Sequence, residues 1–281
     1  MKIMETKKLS FTYEDGTKAL KNIDFSLEKG ETTAILGSNG AGKSSLFLNL
    51  NGIYTPSGGE VLYQGERLRY DRKSLKALRS KLAFVFQDPD DQIFSANVYQ
   101  DISFGAMNMK LPLDEVKRRV DAAMERTDIS HLKEKPTHAL SFGQKKRVAI
   151  AGALVMEPEI LILDEPTAGL DPGGVSDLMR LLQDIQKERG LTLAIATHDI
   201  DMIPLYCDKI YLLDQGEMVL SGSPGEVFSH ADIIRAKKLR LPRIAHLMEI
   251  LAKEDGFPLD ELPLTIAAAR KAIKSHCQWR E

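Results

Sequence analysis

The sequence predicts an α/β fold: a parallel sheet core, an N-terminal antiparallel β layer, an inserted α-helical subdomain and a C-terminal helical extension. Three observations carry this prediction. A glycine-rich loop, Gly37-Ser38-Asn39-Gly40-Ala41-Gly42-Lys43-Ser44, follows the β-branched apolar run Thr32-Thr33-Ala34-Ile35-Leu36 and precedes the helix-compatible run Ser45-Leu46-Phe47-Leu48-Asn49-Leu50. The runs Ile160-Leu161-Ile162-Leu163, Leu193-Ala194-Ile195-Ala196 and Ile210-Tyr211-Leu212-Leu213 are short and continuously apolar, as strands covered on both faces are. Between the loop and the first of these runs, residues 90–156 turn helical, with Val116, Val120, Ala123 and Met124 spaced as one buried stripe.

The elements follow in order. Leu9, Phe11 and Tyr13 alternate, Asp15-Gly16 marks a hairpin, and Ile23, Phe25 and Leu27 alternate before Lys29-Gly30, which predicts the antiparallel layer. Pro56-Ser57-Gly58-Gly59-Glu60 reads as a turn, and Val61-Leu62-Tyr63 as a short strand closing at Gln64-Gly65. A strand near Leu82-Ala83-Phe84-Val85-Phe86 stops at Gln87. Leu178, Leu181, Leu182 and Ile185 mark an amphipathic crossover helix. Strand signals cease after Gly222-Ser223-Pro224, and two helical stripes come next, Ile244, Leu247, Met248 and Leu251, then Ile266, Ala269 and Ile273. The chain therefore divides into residues 1–229, holding the helical subdomain at 90–156, and an extension at 230–281. No internal repeat, heptad run or low-complexity tract interrupts this order.

At 281 residues, with 43% hydrophobic and 28% charged content, the composition is that of an ordinary globular chain, which excludes disorder as its ground state. A formal net charge of -2 supplies no overall drive toward nucleic acid. The basic triplet Lys145-Lys146-Arg147 is read as a solvated helix face. Cys207 and Cys277 lie far apart without a secretory leader, so a reducing cytosolic setting is expected and no disulfide framework is indicated. The apolar residues 148–156 are too few to span a bilayer and predict a buried helix, so that a membrane role requires a membrane partner. His131, His138, His230, His246 and His276 are dispersed without metal-ligand spacing. Met107 and Met109 are expected to pack near the helical subdomain, and Trp279 stands too near the terminus for a role to be assigned.

The chemistry of the loop is set by its residue types. Glycines let backbone N–H groups crowd around phosphate oxygens where a side chain would block the approach. Lys43 reaches the β- and γ-phosphates as a compact cation, and the Ser44 hydroxyl is placed to ligate Mg²⁺. The helix that starts there, with Ser45 in its first turn, adds roughly half a positive charge at its N-terminus.

Leu140-Ser141-Phe142-Gly143-Gln144, standing between the loop and the Ile160 run, resembles the signature of ATP-binding cassette (ABC) proteins, and the similarity extends over roughly residues 3 to 225. The resemblance implies the ABC ATPase fold with a RecA-like parallel core, and ATP with Mg²⁺ as its nucleotide and ion. It implies that Asp164, after four apolar residues, is the Walker B carboxylate supporting Mg²⁺, that Glu165 orients or deprotonates the attacking water, and that His198 contacts the γ-phosphate. It places Gln87 as the glutamine that touches Mg²⁺ or water and reports nucleotide state, and Tyr13 as the ring that stacks on adenine, a reading favoured over the plain strand residue that alternation also predicts there. Nucleotide contacts are expected along Gly37, Ser38, Asn39, Gly40, Ala41, Gly42, Lys43, Ser44 and Ser45. In ABC proteins the signature completes the site of the opposing subunit, so Ser141, Phe142, Gly143 and Gln144 are expected to face a partner's γ-phosphate, with Asp171 at the seam between the sites. Phe142 departs from the family pattern, which more commonly has glycine there.

The segment Phe86-Gln87-Asp88-Pro89-Asp90-Asp91-Gln92-Ile93-Phe94 is similar to the corresponding region of energy-coupling factor importers, especially CbiO-type cobalt or nickel ATPases. Its acidic residues read alternatively as a solvated turn, which is favoured over a metal site. That likeness implies a second ABC ATPase subunit, identical or related, and integral membrane subunits including a coupling protein and a substrate-binding component. It implies a peripheral position at the cytoplasmic face of the cell membrane and no nucleic-acid partner. Uptake of cobalt or nickel is the expectation. Vitamin uptake, and a soluble ABC ATPase acting on nucleic acid or ribosomes, are the alternatives.

Overall fold

The computed structural model describes residues 1–276, so Cys277 and Trp279 lie outside the described residues. Strands β1 (Lys2–Thr12) and β2 (Lys18–Glu28) form the antiparallel hairpin predicted around Asp15-Gly16. β3 (Thr32–Leu36) leads into helix α1 (Lys43–Leu50), and β4 (Gly58–Tyr63) and the short β5 (Glu66–Arg67) complete a four-stranded layer in the order β2-β1-β4-β5. The predicted turn is shorter than its sequence suggests, because Gly58 and Gly59 belong to β4. Gly59 takes φ +74 where β1 and β4 shift register, and a Cβ there would lie 2.2 Å from the Lys8 carbonyl oxygen.

Helix α2 (Arg72–Arg79) and β6 (Leu82–Val85) come next, and then the helical subdomain of α3 (Val98–Asn108), α4 (Leu113–Arg126) and α5 (Phe142–Leu154). Val98, Ile102, Val120 and Val148 anchor a separate small core there, whereas Ala149, Ile150 and Ala153 of α5 pack into the core of the parallel sheet. Helix α5 therefore joins the two bodies. Met107, expected to pack with the subdomain, is exposed on α3.

β7 (Ile160–Asp164), α6 (Pro172–Arg189), β8 (Thr192–Thr197), the one-turn helix α7 (Ile203–Tyr206), β9 (Lys209–Asp214) and β10 (Glu217–Gly222) complete a six-stranded sheet. Its order is β10-β9-β3-β8-β7-β6, with β10 antiparallel at one edge and the other pairings parallel. Every residue of β3, β7 and β8 is buried, as continuous apolar runs require when helices cover both faces. The register aligns the carboxyl ends: Leu36 opposes Thr197, Ala196 opposes Asp164, and Leu163 opposes Val85. The residues just beyond these strands emerge side by side on one edge, where open α/β sheets bind ligands.

The chain then runs through α8 (Pro224–Ser229), α9 (Ala231–Ala236), α10 (Arg243–Lys253) and α11 (Ile266–His276). Ile234, Leu241 and Ala245 enter the same core as the parallel sheet. The expected stripe on α10 is displaced, because Ala245, Met248 and Glu249 are buried while Leu247 faces outward. Glu249 accepts hydrogen bonds from Arg235 on α9 and from Lys253 Nζ at 2.8 Å, which makes its burial tolerable and holds its carboxyl down at about 2. On α11, Ala269 is buried while Ile266 is exposed. No described helix is long and apolar enough to cross a membrane.

Candidate nucleotide-binding and catalytic site

The loop between β3 and α1 closes so tightly that two of its glycines admit no side chain. A Cβ on Gly37 would lie 2.4 Å from the Leu213 carbonyl oxygen, and one on Gly42, with φ +109 at the helix N-cap, 2.7 Å from the Ala19 carbonyl oxygen. The turn is followed at once by α1, whose N-terminal N–H groups and dipole favour an anion. Lys43 is only 7% exposed; its Nζ donates to the carbonyls of Gly37 at 2.8 Å and Ser38 at 3.3 Å, and stands 3.4 Å from Glu165 Oε1. An open groove of about 720 Å³ runs over the loop, lined by Ser38 through Ser45 together with Tyr13, Gln87, Asp164 and Glu165. A backbone cradle, a buried ammonium and a helix start are the donors a polyphosphate needs, so the residues fit a nucleotide. Ser44, Gln87 and Asp164 in the same groove are hard oxygen ligands of the kind magnesium takes.

Tyr13 lies at one end of this groove. Its hydroxyl is 2.8 Å from Ser45 Oγ, and its ring meets Phe11 and Tyr54 edge-on, with centroids at 5.0 and 5.8 Å. The ring thus belongs to an aromatic cluster and also borders the groove.

At the ends of β7 and β8 the sheet brings three further groups together. Asp164 is buried, and burial raises its pKa against an opposing hydrogen bond from Ser44. Glu165 occupies the left-handed region at φ 45, a costly conformation for a residue with a side chain, stabilised by its own N–H donating to the Ala196 carbonyl at 3.0 Å. That turn aims its carboxylate across the strand ends. Glu165 Oε2 accepts from the His198 N–H at 3.3 Å and lies 2.8 Å from His198 Nδ1, while Oε1 faces Lys43. Nδ1 is thus the ring nitrogen turned to the carboxylate, and the His198 side chain as a whole is exposed.

Ser141, Phe142, Gly143 and Gln144 do not line this groove. Ser141 caps α5, with Gln144 N–H donating to Ser141 Oγ at 3.3 Å and the Gln144 side chain accepting from Ser141 N–H at 3.1 Å. Phe142 covers Gly169, where a Cβ would come within 2.7 Å of the ring. Asp171 caps α6, accepting from Gly174 N–H at 2.7 Å. Asp88 caps the short turn at Pro89–Asp91, and Asp90 pairs with Lys145 at 2.5 Å, so the acidic run is partly structural.

The triplet at 145–147 is not a solvated face. Lys146 is 1% exposed, and its Nζ donates to the Gln87 carbonyl at 2.8 Å and the Glu165 carbonyl at 3.1 Å; burial lowers its pKa to about 8. Arg147 donates to the Thr127 carbonyl at 2.9 Å. Lys146 turns inward because α5 is wedged between two cores, while the partly buried Lys145 and Arg147 meet protein partners rather than water alone. The cue in the sequence was the placement of the triplet inside a helix that also had to be buried along residues 148–156.

A family model described as ABC transporter matches residues 20–168. An energy-coupling factor transporter ATP-binding protein, EcfA3 of Clostridium perfringens, is 60% identical over 97% of this chain and 96% of its own length. EcfA of Methanocaldococcus jannaschii is 51% identical over 98% of each chain. Among solved structures, cbiO1 of Clostridium perfringens, described as part of the ABC transporter complex cbiONQ, superposes with a TM-score of 0.78 at 60% identity, covering 89% of this chain and 99% of its own. A cassette dimer in a post-hydrolysis state bound to ADP and Pi superposes at 0.72 with 28% identity, over 78% of this chain and 98% of that one. With its phosphate loop, its strand-end carboxylates and these relatives, the chain belongs to the ABC transporter ATPases, as an ATP-hydrolysing, energy-coupling factor type ATP-binding subunit.

Proposed function

We propose that this subunit powers uptake of a transition-metal cation, cobalt or nickel, by closing with a second cassette around ATP at the cytoplasmic face of a membrane. The observation that carries the catalytic part is the Glu165 carboxylate, held by His198 on one side and Lys43 on the other at the edge of the loop. From there Glu165 orients and accepts a proton from the attacking water, and Lys43 and the loop N–H groups neutralise charge on the phosphates. His198 senses the γ-phosphate through Nε2. Tyr13 packs against the adenine. Ser44, Asp164 and Gln87 would hold a magnesium ion, which would supply neutralisation of phosphate charge.

The signature residues Ser141 to Gln144 stand outside the groove of their own chain, which supports their serving the opposing site, with Asp171 at the seam. A partner cassette, identical or related, is then required for turnover. Membrane subunits dock in the groove of about 1100 Å³ between α2 and the helical subdomain, lined by Arg72, Lys76, Gln92, Phe94, Phe104 and Met109. Phe94 and Phe104 pack edge-to-face at 4.8 Å while both stay exposed, an apolar patch that suits a coupling contact. Residues 230–281 form an accessory extension to the cassette at 1–229.

The metal cargo rests on the likeness to cbiO1 and on the segment from Phe86 to Phe94; the energy-coupling factor names of other relatives are equally compatible with vitamin cargo. Native membrane complexes purified through this subunit and reconstituted in liposomes test both. ATP-dependent accumulation of labelled cobalt or nickel is expected. Uptake of a vitamin with no metal accumulation sinks the metal assignment and leaves the ATPase role intact.

A further inference from the structure

We propose that Lys146 is a positioning residue for hydrolysis: its buried ammonium ties the main chain at Gln87 and at Glu165 to one point on helix α5, so that the helix carrying the signature sets where the Glu165 carboxylate sits. This rests on Glu165 as the group that aligns water. The two carbonyls that Lys146 holds, at 2.8 and 3.1 Å, belong to segments 59 and 19 residues away in sequence, at the ends of β6 and β7. The ammonium also sits 5.5 Å from the centroid of the Phe142 ring, the ring that covers Gly169.

Burying an ammonium is costly unless its donors are used, so a Lys at 1% exposure is there for its three N–H groups rather than for its volume. One of its acceptors is the carbonyl of the residue held at φ 45, where the backbone relaxes if unsupported. The bond is charge-assisted and stronger than a neutral one. The neighbouring cations are engaged elsewhere, Lys145 with Asp90 and Arg147 with Thr127, so neither duplicates the tie. A rotation of α5 with the helical subdomain therefore pulls on Glu165 and Gln87 together, which links subdomain position to the geometry of the attacking water.

Lys146→Met, which keeps the stem and removes the donors, is measured for ATPase kinetics in the full-length chain with its partner subunits, beside Lys146→Gln, which restores a shorter donor group. We expect kcat to fall about tenfold in Lys146→Met with KM for ATP within about twofold of wild type, and Lys146→Gln to lie between. Wild-type kcat in Lys146→Met, a rise in KM at unchanged kcat, or a Gln variant no better than Met overturns the inference. If Lys146→Met does not fold, Lys146→Gln takes its place, with about a threefold loss of kcat expected at unchanged KM; wild-type kcat then overturns it. Glu165→Gln measured in parallel separates the two claims. Fast turnover there removes Glu165 from its role and the inference with it, whereas slow turnover there beside an unaffected Lys146→Met removes the inference alone.

Discussion

Lys43, at the phosphate loop, and Lys146, on the signature helix, are both buried ammonium groups, and each donates to two main-chain carbonyls. Lys43 finds its partners five and six residues back, inside its own motif, and its head lies in the wall of the open groove. Lys146 finds its partners on two strand ends far away in sequence, and does not line that groove. A cation with local partners can exchange them for a ligand without disturbing the fold. A cation whose partners come from two separate segments holds those segments in place, and has nothing to offer a ligand. In the proposed mechanism the same chemical group serves binding in one region and geometry in the other, and the difference lies in where its acceptors stand.

The test that most sharply probes the target shared by both lysines is Glu165→Gln. Hydrolysis is expected to drop on the order of a thousandfold while ATP binding persists, because the amide keeps the shape but accepts no proton. Phosphate-release assays with parallel equilibrium binding check this, and near-normal turnover would mean that neither lysine acts on the water-aligning group. Next in size, Lys43→Met is expected to weaken ATP binding by about thirtyfold, from loss of charge-assisted contacts to phosphate. Titration calorimetry decides it, and unchanged affinity would break the contrast on the loop side. Lys146→Met should do the reverse, moving turnover by about tenfold and leaving affinity nearly alone; equal losses of affinity in both variants would erase the distinction. The smallest effect is expected from Phe142→Ala, which uncovers Gly169 and removes the ring beside Lys146. About 1 kcal/mol of lost apolar contact should lower the melting midpoint by roughly 2–4 °C. A midpoint that does not move would show the ring to be idle in the isolated subunit.

Much of the site was legible because its residues are grouped by strand ends. The loop, Asp164 and Glu165 stand at the close of apolar runs that are strands in the structure, and the register of β3, β7 and β8 brings those strand ends level with one another. Less was legible where burial is decided by neighbours. Leu247 completes a helical stripe by spacing yet faces outward, because the buried face of α10 is chosen by the core that Ala245 enters. Gly59 reads as part of a turn, yet lies in β4 because a bulge opposite Lys8 accommodates it. The triplet at 145–147 reads as a charged surface by composition, and only the wedging of α5 between two cores buries Lys146.

By itself the sequence determined the tight glycine-rich turn of the candidate nucleotide site, the order of the strands and the family, since these depend on local steric demands: glycine where a side chain would collide, apolar runs where both faces are covered, a hydroxyl and a cation at a helix start. Only the tertiary structure decided that Glu165 meets His198 across two strands and that Lys146 binds the main chain at both Gln87 and Glu165. Partnership between segments dozens of residues apart is set by how the helices pack upon the sheet, and that packing leaves no periodic trace in any one segment.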